Sequence, residues 1–159
     1  MIFETHAHYD DEKFDSDRVE LLSSLREHNV DKVINVGASI EGSRASMKLS
    51  EDFDFIYAAI GVHPEDLDGI TEEDMTFLKE NAKKDKVVAI GEIGLDYYWE
   101  KDEGKRENQR YWFKRQLEVA HLVDLPVIIH SRDACDDTMF TLKDYTTSVV
   151  PGIAHCYSY

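Results

Sequence analysis

Residues of metal-binding type recur along this chain, each at or just beyond the end of a short apolar run. They are His6, His8, His63, Glu92, His130 and His155. The two histidines of "THAH" are spaced so that both imidazoles lie on one face of a strand and can chelate a single ion. Imidazole and carboxylate ligands together suit Zn, Mn, Fe, Ni or Co, and Mg where oxygen ligands and water dominate. A lone histidine at a strand end is more often an ordinary hydrogen-bonded residue, so the metal prediction depends on the grouping.

The number of these residues indicates more than one ion. A tetrahedral catalytic site uses about three protein ligands and an open position, and the set here is larger. Two ions bridged by a carboxylate fit better. Two metals about 3.5–4 Å apart can generate hydroxide from water and clamp the attacking and leaving oxygens of a phosphate ester. The pattern therefore predicts metal-assisted hydrolysis.

Arg132 lies two residues past His130 in "HSRD". A guanidinium binds phosphate bidentately, which makes Arg132 a candidate phosphate clamp in the substrate-binding site. An ion pair with Asp133 or Asp136 is an equally good interpretation of the same pattern.

The elements that must position these side chains alternate between two periodicities. Strands are predicted for "MIFETH", "KVINVG", "FIYAAIG", "KVVAIGE", "LPVIIH" and "SVVPGIAH", and an amphipathic helical stretch lies between each pair. This alternation predicts an α/β fold with a parallel sheet and right-handed crossovers. "DYYWEKDEGK", after the fourth strand, is predicted to be a loop. In such sheets the ligand site lies at the carboxyl ends of the strands, where the six residues converge.

Size and charge restrict the function further. The 159 residues form one predicted domain, residues 1–159, well below the ~250 residues of a closed eight-stranded α/β barrel. The net charge of −15 opposes a broad basic surface for nucleic acid, so a phosphate-bearing substrate must be held locally, for which bound cations suffice. With no apolar stretch near the ~20 residues of a membrane span and no secretion signal, we expect a cytoplasmic protein with no membrane contact. Because that compartment is reducing, Cys135 and Cys156 are expected to be thiols.

Five motifs, taken together, resemble the TatD family of metal-dependent deoxyribonucleases, within the amidohydrolase-like TIM barrels. They are "ETHAHYDDEKFDSDR", "AAIGVHPED", "AIGEIGLDYYW", "LPVIIHSRDA" and "IAHCYS", and they span the chain in the expected order. The resemblance implies two divalent ions of the Mg, Mn or Zn class and hydrolysis of DNA phosphodiesters.

The resemblance also assigns roles to single residues. It makes His6 and His8 ligands of one metal, Glu92 the bridging ligand and catalytic residue, and His130 and His155 ligands of the second metal. His63 matches a position that lines the active site, where substrate contact is implied.

The family pattern continues for two further strands, and the seventh ends in an aspartate that completes the first metal site. This chain stops after the sixth strand, so we expect a TIM-barrel type fold with six parallel strands of an expected eight, an incomplete barrel. The first and last strands would be unpaired edges, through which chains can self-associate. Either the sequence is a fragment, or the missing wall comes from elsewhere.

Two other functions fit the same residues. Related barrels use similar ligands on carbonyl substrates, so hydrolysis of an amide or ester, including an aminoacyl ester, is a second enzymatic hypothesis. The third is a truncated, inactive association module, which the missing aspartate and the open sheet edges suggest.

Overall fold

A computed structural model describes residues 1–145 and 151–155 of the chain. Within them, six strands form one parallel sheet in which each strand pairs with the next in sequence. The strands are β1 Ile2–Ala7, β2 Val30–Val36, β3 Ile56–Ile60, β4 Val87–Asp96, β5 Val127–Arg132 and β6 Gly152–His155. The predicted α/β class with six parallel strands is therefore confirmed. β1 and β6 form the two edges, and association through them stays a prediction.

Helices connect the strands as the periodicity predicted. They are α1 Arg18–Ser24, α2 Ile40–Asp52, α3 Glu72–Asn81, α4 Glu103–Val123 and α5 Cys135–Tyr145. Local signals set their ends: Ser39 caps α2 by accepting a hydrogen bond from the Gly42 amide, and Asp102 caps α4 by accepting from the Lys105 amide. Asp124 ends α4 in the left-handed conformation. No helix in the described ranges is both long and apolar enough to span a membrane.

The two faces of the sheet bury different residues. Along β5, Val127 and Ile129 pack with Phe113 and Leu117 of α4 in the larger core, between the sheet and the helices. Ile128 points to the opposite, inner face and packs there with apolar residues of β2, β3 and β4. Since residues two apart on a strand share a face, His130 and Arg132 follow Ile128 along this inner face towards the carboxyl end. The strand alternation thus separates a helix-covered core from the functional side chains.

Gly94 is required where β4 meets β5. Its φ of +145° suits glycine, and a Cβ at this position would collide with the His130 carbonyl oxygen. We expect Gly94→Ala to lower the free energy of unfolding by about 3 kcal/mol in urea denaturation, because the two strands must separate to admit the methyl group. Gly104→Ala, in the first turn of α4, is the control and should stay within about 1 kcal/mol of the unchanged protein. Equal stability of the two variants would contradict this account of Gly94.

Of the two cysteines in the sequence, one lies among the described residues. Cys135, half-buried at the start of α5, is a free thiol. Cys156 lies outside the described residues.

Candidate metal centre

The first group of candidate ligands forms at the carboxyl ends of β1 and β4. His6 Nε2 lies 3.0 Å from His8 Nε2, and these two nitrogens lie 3.3 Å and 3.6 Å from Glu92 Oε2. His8 Nδ1 lies 2.8 Å from the Val36 carbonyl oxygen, which can only accept a hydrogen bond. Nδ1 of His8 therefore carries a proton, and in the neutral ring the electron pair lies on Nε2, on the side of Glu92.

The second group forms around the other oxygen of Glu92. His130 Nδ1 lies 2.8 Å from Glu92 Oε1, and His63 Nε2 lies 4.0 Å from the same oxygen. Burial would raise the pKa of Glu92, but the hydrogen bonds from His130 and His6 outweigh it and hold the pKa far below its usual range. Glu92 is therefore an ionised, buried carboxylate that faces a pair of histidines with each oxygen.

Asp96, predicted to begin the loop "DYYWEKDEGK", is a further functional candidate. The structure extends β4 to Asp96, whose Oδ2 lies 2.9 Å from His130 Nε2. Burial alone would lower the pKa of His130, but its bonds to Glu92 and Asp96 raise it. The signal was present in "GEIGLD": Ile93 and Leu95 alternate with Glu92, Gly94 and Asp96, which places both carboxylates on one face of a strand.

His63 lies closer to the candidate ligands than a purely substrate-binding position requires. Its ring meets that of His130 edge to face, with centroids 4.3 Å apart, and its side chain is buried. Among the described residues, two groups of three could each hold one ion. They are His6, His8 and Glu92, and His63, Glu92 and His130. Substrate contact by His63 stays a prediction, and the geometry admits ligation as well.

His155, at the end of β6, lies against the first group. Its ring stacks on that of His6 with centroids 3.7 Å apart and planes 6° apart, while the His130 ring centroid is 6.4 Å away. Burial lowers its pKa, and the neighbouring His6 lowers it further. The structure therefore brings His155 to the centre, and its role as ligand of a second metal stays a prediction.

These residues fit divalent cations. His6 Nδ1 is buried and has no hydrogen-bond partner among the described residues, and an unmet buried polar atom costs about 1–3 kcal/mol. The Nε2 atoms of His6 and His8 lie 3.0 Å apart, so in the neutral rings at least one of these two nitrogens has an electron pair directed at the region of Glu92. A cation would accept this electron pair, and imidazole with carboxylate is a ligand set for Zn, Mn and related ions.

The pKa of His63 gives a pH-dependent stability that can be measured without metal. Burial lowers this pKa from 6.5 to about 4. The unfolded state then binds more protons between these values, so the free energy of unfolding falls as the pH falls through that window. With EDTA present, we expect the unchanged protein to lose about 2 kcal/mol more than His63→Gln between pH 7 and pH 5. Parallel pH profiles of the two proteins would refute the assignment.

Arg132 stacks on the aromatic residues that follow β4. Its guanidinium carbon lies 4.4 Å from the Tyr98 ring centroid and 5.8 Å from that of Trp99. In the described residues, no ion pair joins Arg132 to Asp133 or Asp136, so that interpretation of "HSRD" was wrong. Phosphate binding by Arg132 stays a prediction.

The described residues thus form a parallel α/β sheet of the barrel type that gathers histidines and a buried carboxylate at the carboxyl ends of its strands. The family model for TatD related DNases matches residues 3–159. The chain belongs to the TatD family, which confirms the resemblance and the barrel-type fold.

The individual relatives agree with this family. The chain is 42% identical over 158 residues to the uncharacterized metal-dependent hydrolase YabD of Bacillus subtilis (strain 168). This match covers 99% of the present chain and 61% of that protein. It is 30% identical over 146 residues to the 3'-5' ssDNA/RNA exonuclease TatD of Cronobacter turicensis, covering 92% of the chain and 55% of that protein.

Among solved structures, the TatD homolog YjjV of Escherichia coli K12 matches with a TM-score of 0.88 and 31% identity. The match covers 99% of this chain and 61% of that one. A TatD family hydrolase of Entamoeba histolytica has the same fold at 21% identity, with a TM-score of 0.83, 99% coverage of this chain and 58% of that one. The chain thus spans between 55% and 61% of the length of these relatives.

Proposed function

We propose that the protein is a divalent-metal-dependent hydrolase that cleaves DNA phosphodiester bonds. The observation that carries this proposal is the position of Glu92, whose two oxygens each face a separate pair of histidines. Two divalent ions, when bound, would activate water as the nucleophile and stabilise negative charge on the phosphate oxygens. The Cronobacter relative is named as an exonuclease of single-stranded DNA and RNA, which supports a nucleic acid as the substrate.

Different residues of the chain would bind the two ions, and Glu92 would bind both. His6, His8 and Glu92 would hold the first, and Glu92 with His130 would hold the second, together with His155 or His63. Because Glu92 is already ionised in the buried centre, it binds a cation without first losing a proton. Asp96 holds the imidazole of His130 in place.

The charge of the protein favours this local mode of substrate binding. A chain of net charge −15 repels a polyanion at long range, so the affinity for DNA must come from the ions and from single cationic side chains such as Arg132. The cytoplasm, where divalent cations and nucleic acids are both present, is the proposed location.

Metal removal is the direct test. We expect EDTA to abolish release of labelled nucleotides from single-stranded DNA, and Mn or Mg added back to restore it. Elemental analysis of the restored protein should find about two divalent ions per chain. Cleavage that continues at full rate in EDTA would exclude the proposal.

A substrate panel separates the remaining hypotheses. Turnover of a small amide or an aminoacyl ester, with phosphodiesters inert, would identify a carbonyl hydrolase. Fewer than one ion per chain, together with a stable oligomer in solution, would identify the inactive association module.

A further inference from the structure

Two aromatic side chains stand exposed where the polypeptide leaves β4. Tyr98 is 44% exposed and Trp99 is 62% exposed, and their rings meet edge to face with centroids 4.6 Å apart. By contrast, Trp112 of α4 is buried in the core. Neither Tyr98 nor Trp99 therefore stabilises the fold by full burial, and the indole of Trp99 offers an open π-face.

These two residues are held next to the candidate metal centre by the same carboxylate that binds His130. Asp96 Oδ1 accepts hydrogen bonds from the Tyr98 and Trp99 amides at 2.9 Å and 3.1 Å, while Oδ2 lies 2.9 Å from His130 Nε2. Arg132 shares the inner face of β5 with His130, roughly 7 Å further along the strand. The aromatic pair and the guanidinium thus lie directly beyond the metal centre, at the carboxyl end of the sheet.

Two cationic side chains lie over the Tyr98 ring. Besides the guanidinium of Arg132 over Tyr98, the ammonium of Lys101 lies 5.7 Å from the same ring. Cations beside aromatic rings are the combination that binds single-stranded nucleic acid, since the rings stack on bases and the cations attract phosphate.

The charged side chains that line the pocket beside Trp99 are mainly negative, which disfavours a phosphate more than a base. Trp99 forms one wall of this pocket, whose charged lining consists of the carboxylates of Glu65, Asp68 and Glu100 and of one ammonium, that of Lys105, which pairs with Glu100. These carboxylates repel a phosphate but not a neutral base. A base beside Trp99 would leave its phosphate on the side of Arg132 and the metal centre.

We propose that Tyr98, Trp99 and Arg132 form a base-stacking subsite, which takes an unpaired nucleobase next to the phosphate that is cleaved. The inference rests on the proposed function and specifies its substrate as a strand with an unstacked base. Trp99 stacks on the base, and Arg132 contacts the adjoining phosphate. Because every base has a π-face, the subsite has little sequence preference.

Kinetics on two matched substrates test the subsite. One is a labelled thymidine oligonucleotide, and the other is an abasic deoxyribose-phosphate oligomer of the same length. We expect Trp99→Ala to raise KM for the thymidine oligonucleotide roughly 5- to 100-fold and to leave KM for the abasic oligomer unchanged. Trp99→Phe should restore most of the affinity, and Arg132→Gln should raise KM for both substrates. Tyr111→Ala, at a 51% exposed aromatic residue of α4, is the control and should change neither.

A binding measurement keeps the subsite separate from the proposed chemistry. A thymidine phosphorothioate oligonucleotide, which resists cleavage, should quench tryptophan fluorescence in the unchanged protein but not in Trp99→Phe. Equal changes of KM on both substrates in Trp99→Ala would overturn the subsite and leave the hydrolase proposal intact. Failure of the oligonucleotide to quench the fluorescence of Trp99 would have the same consequence. If neither substrate is cleaved but Trp99 is quenched, the subsite stands and the proposed function fails.

Discussion

Glu92→Gln is expected to reduce DNA hydrolysis by roughly 10²–10⁴-fold, the range for loss of one essential charged catalytic group. The carboxylate of Glu92 is the only group among the described residues that belongs to both candidate ligand groups. Glutamine keeps its size but replaces one oxygen by an amide nitrogen, which is a donor and cannot bind a cation. Whichever oxygen is replaced, one of the two histidine groups loses its oxygen ligand, and the other faces a neutral amide oxygen in place of a carboxylate.

The comparison needs both metal content and rate. Single-turnover cleavage of labelled DNA gives the chemical step, and elemental analysis of the same sample gives the number of ions bound. Glu72→Gln is the matched control, because Glu72 is an exposed residue of α3 that pairs with Arg115 on the outside of the sheet. We expect this control to cleave at the rate of the unchanged protein. A Glu92→Gln protein that binds two ions and cleaves within about tenfold of that rate would contradict the central role of Glu92.

The strands and most of the candidate centre could be predicted because their signals are local. The apolar runs before Glu92 and His130 mark buried strands, and the run before His6 marks β1, an exposed to half-buried edge strand. A parallel α/β sheet brings the carboxyl ends of its strands to one edge. Predicting the strands and the edge at which they end requires no knowledge of contacts between residues far apart in the sequence. The caps at Ser39 and Asp102 are equally local, since each side chain bonds to an amide three residues on.

The contacts that could not be predicted depend on how neighbouring strands are registered. His130 meets Asp96 only because β4 continues past Glu92 with an irregular register against β5, which pairs Gly94 with His130. The stacking of Arg132 on Tyr98 follows from the same pairing, in which Asp96 lies beside Arg132. The proximity of His63 to His130 likewise joins a loop after β3 to β5. No periodicity in one strand specifies the register of the next.

Asp96→Asn is expected to weaken metal binding about 10- to 100-fold while preserving the fold. In the structure, His130 donates to Asp96 through Nε2 and to Glu92 through Nδ1, and a bound cation would displace the Nδ1 proton while Nε2 stays protonated on Asp96. Asparagine can keep its oxygen on the Tyr98 and Trp99 amides and present its NH₂ group to His130. His130 Nε2 must then accept a hydrogen bond, which moves the proton of the neutral ring to Nδ1. A protonated Nδ1 has no electron pair for a cation, so the substitution acts through the tautomer of His130.

Competition with a chromogenic chelator measures the affinity, and the ¹⁵N shifts of His130 in metal-free protein at high pH report which ring nitrogen is protonated. Asp96→Ala is the companion variant, because it removes the bonds to the Tyr98 and Trp99 amides as well. It should lower both the melting temperature and the metal affinity, whereas Asp96→Asn should lower the affinity alone. If Asp96→Asn binds metal as tightly as the unchanged protein, Asp96 only shapes the turn after β4, and the orientation of His130 must depend on Glu92 instead.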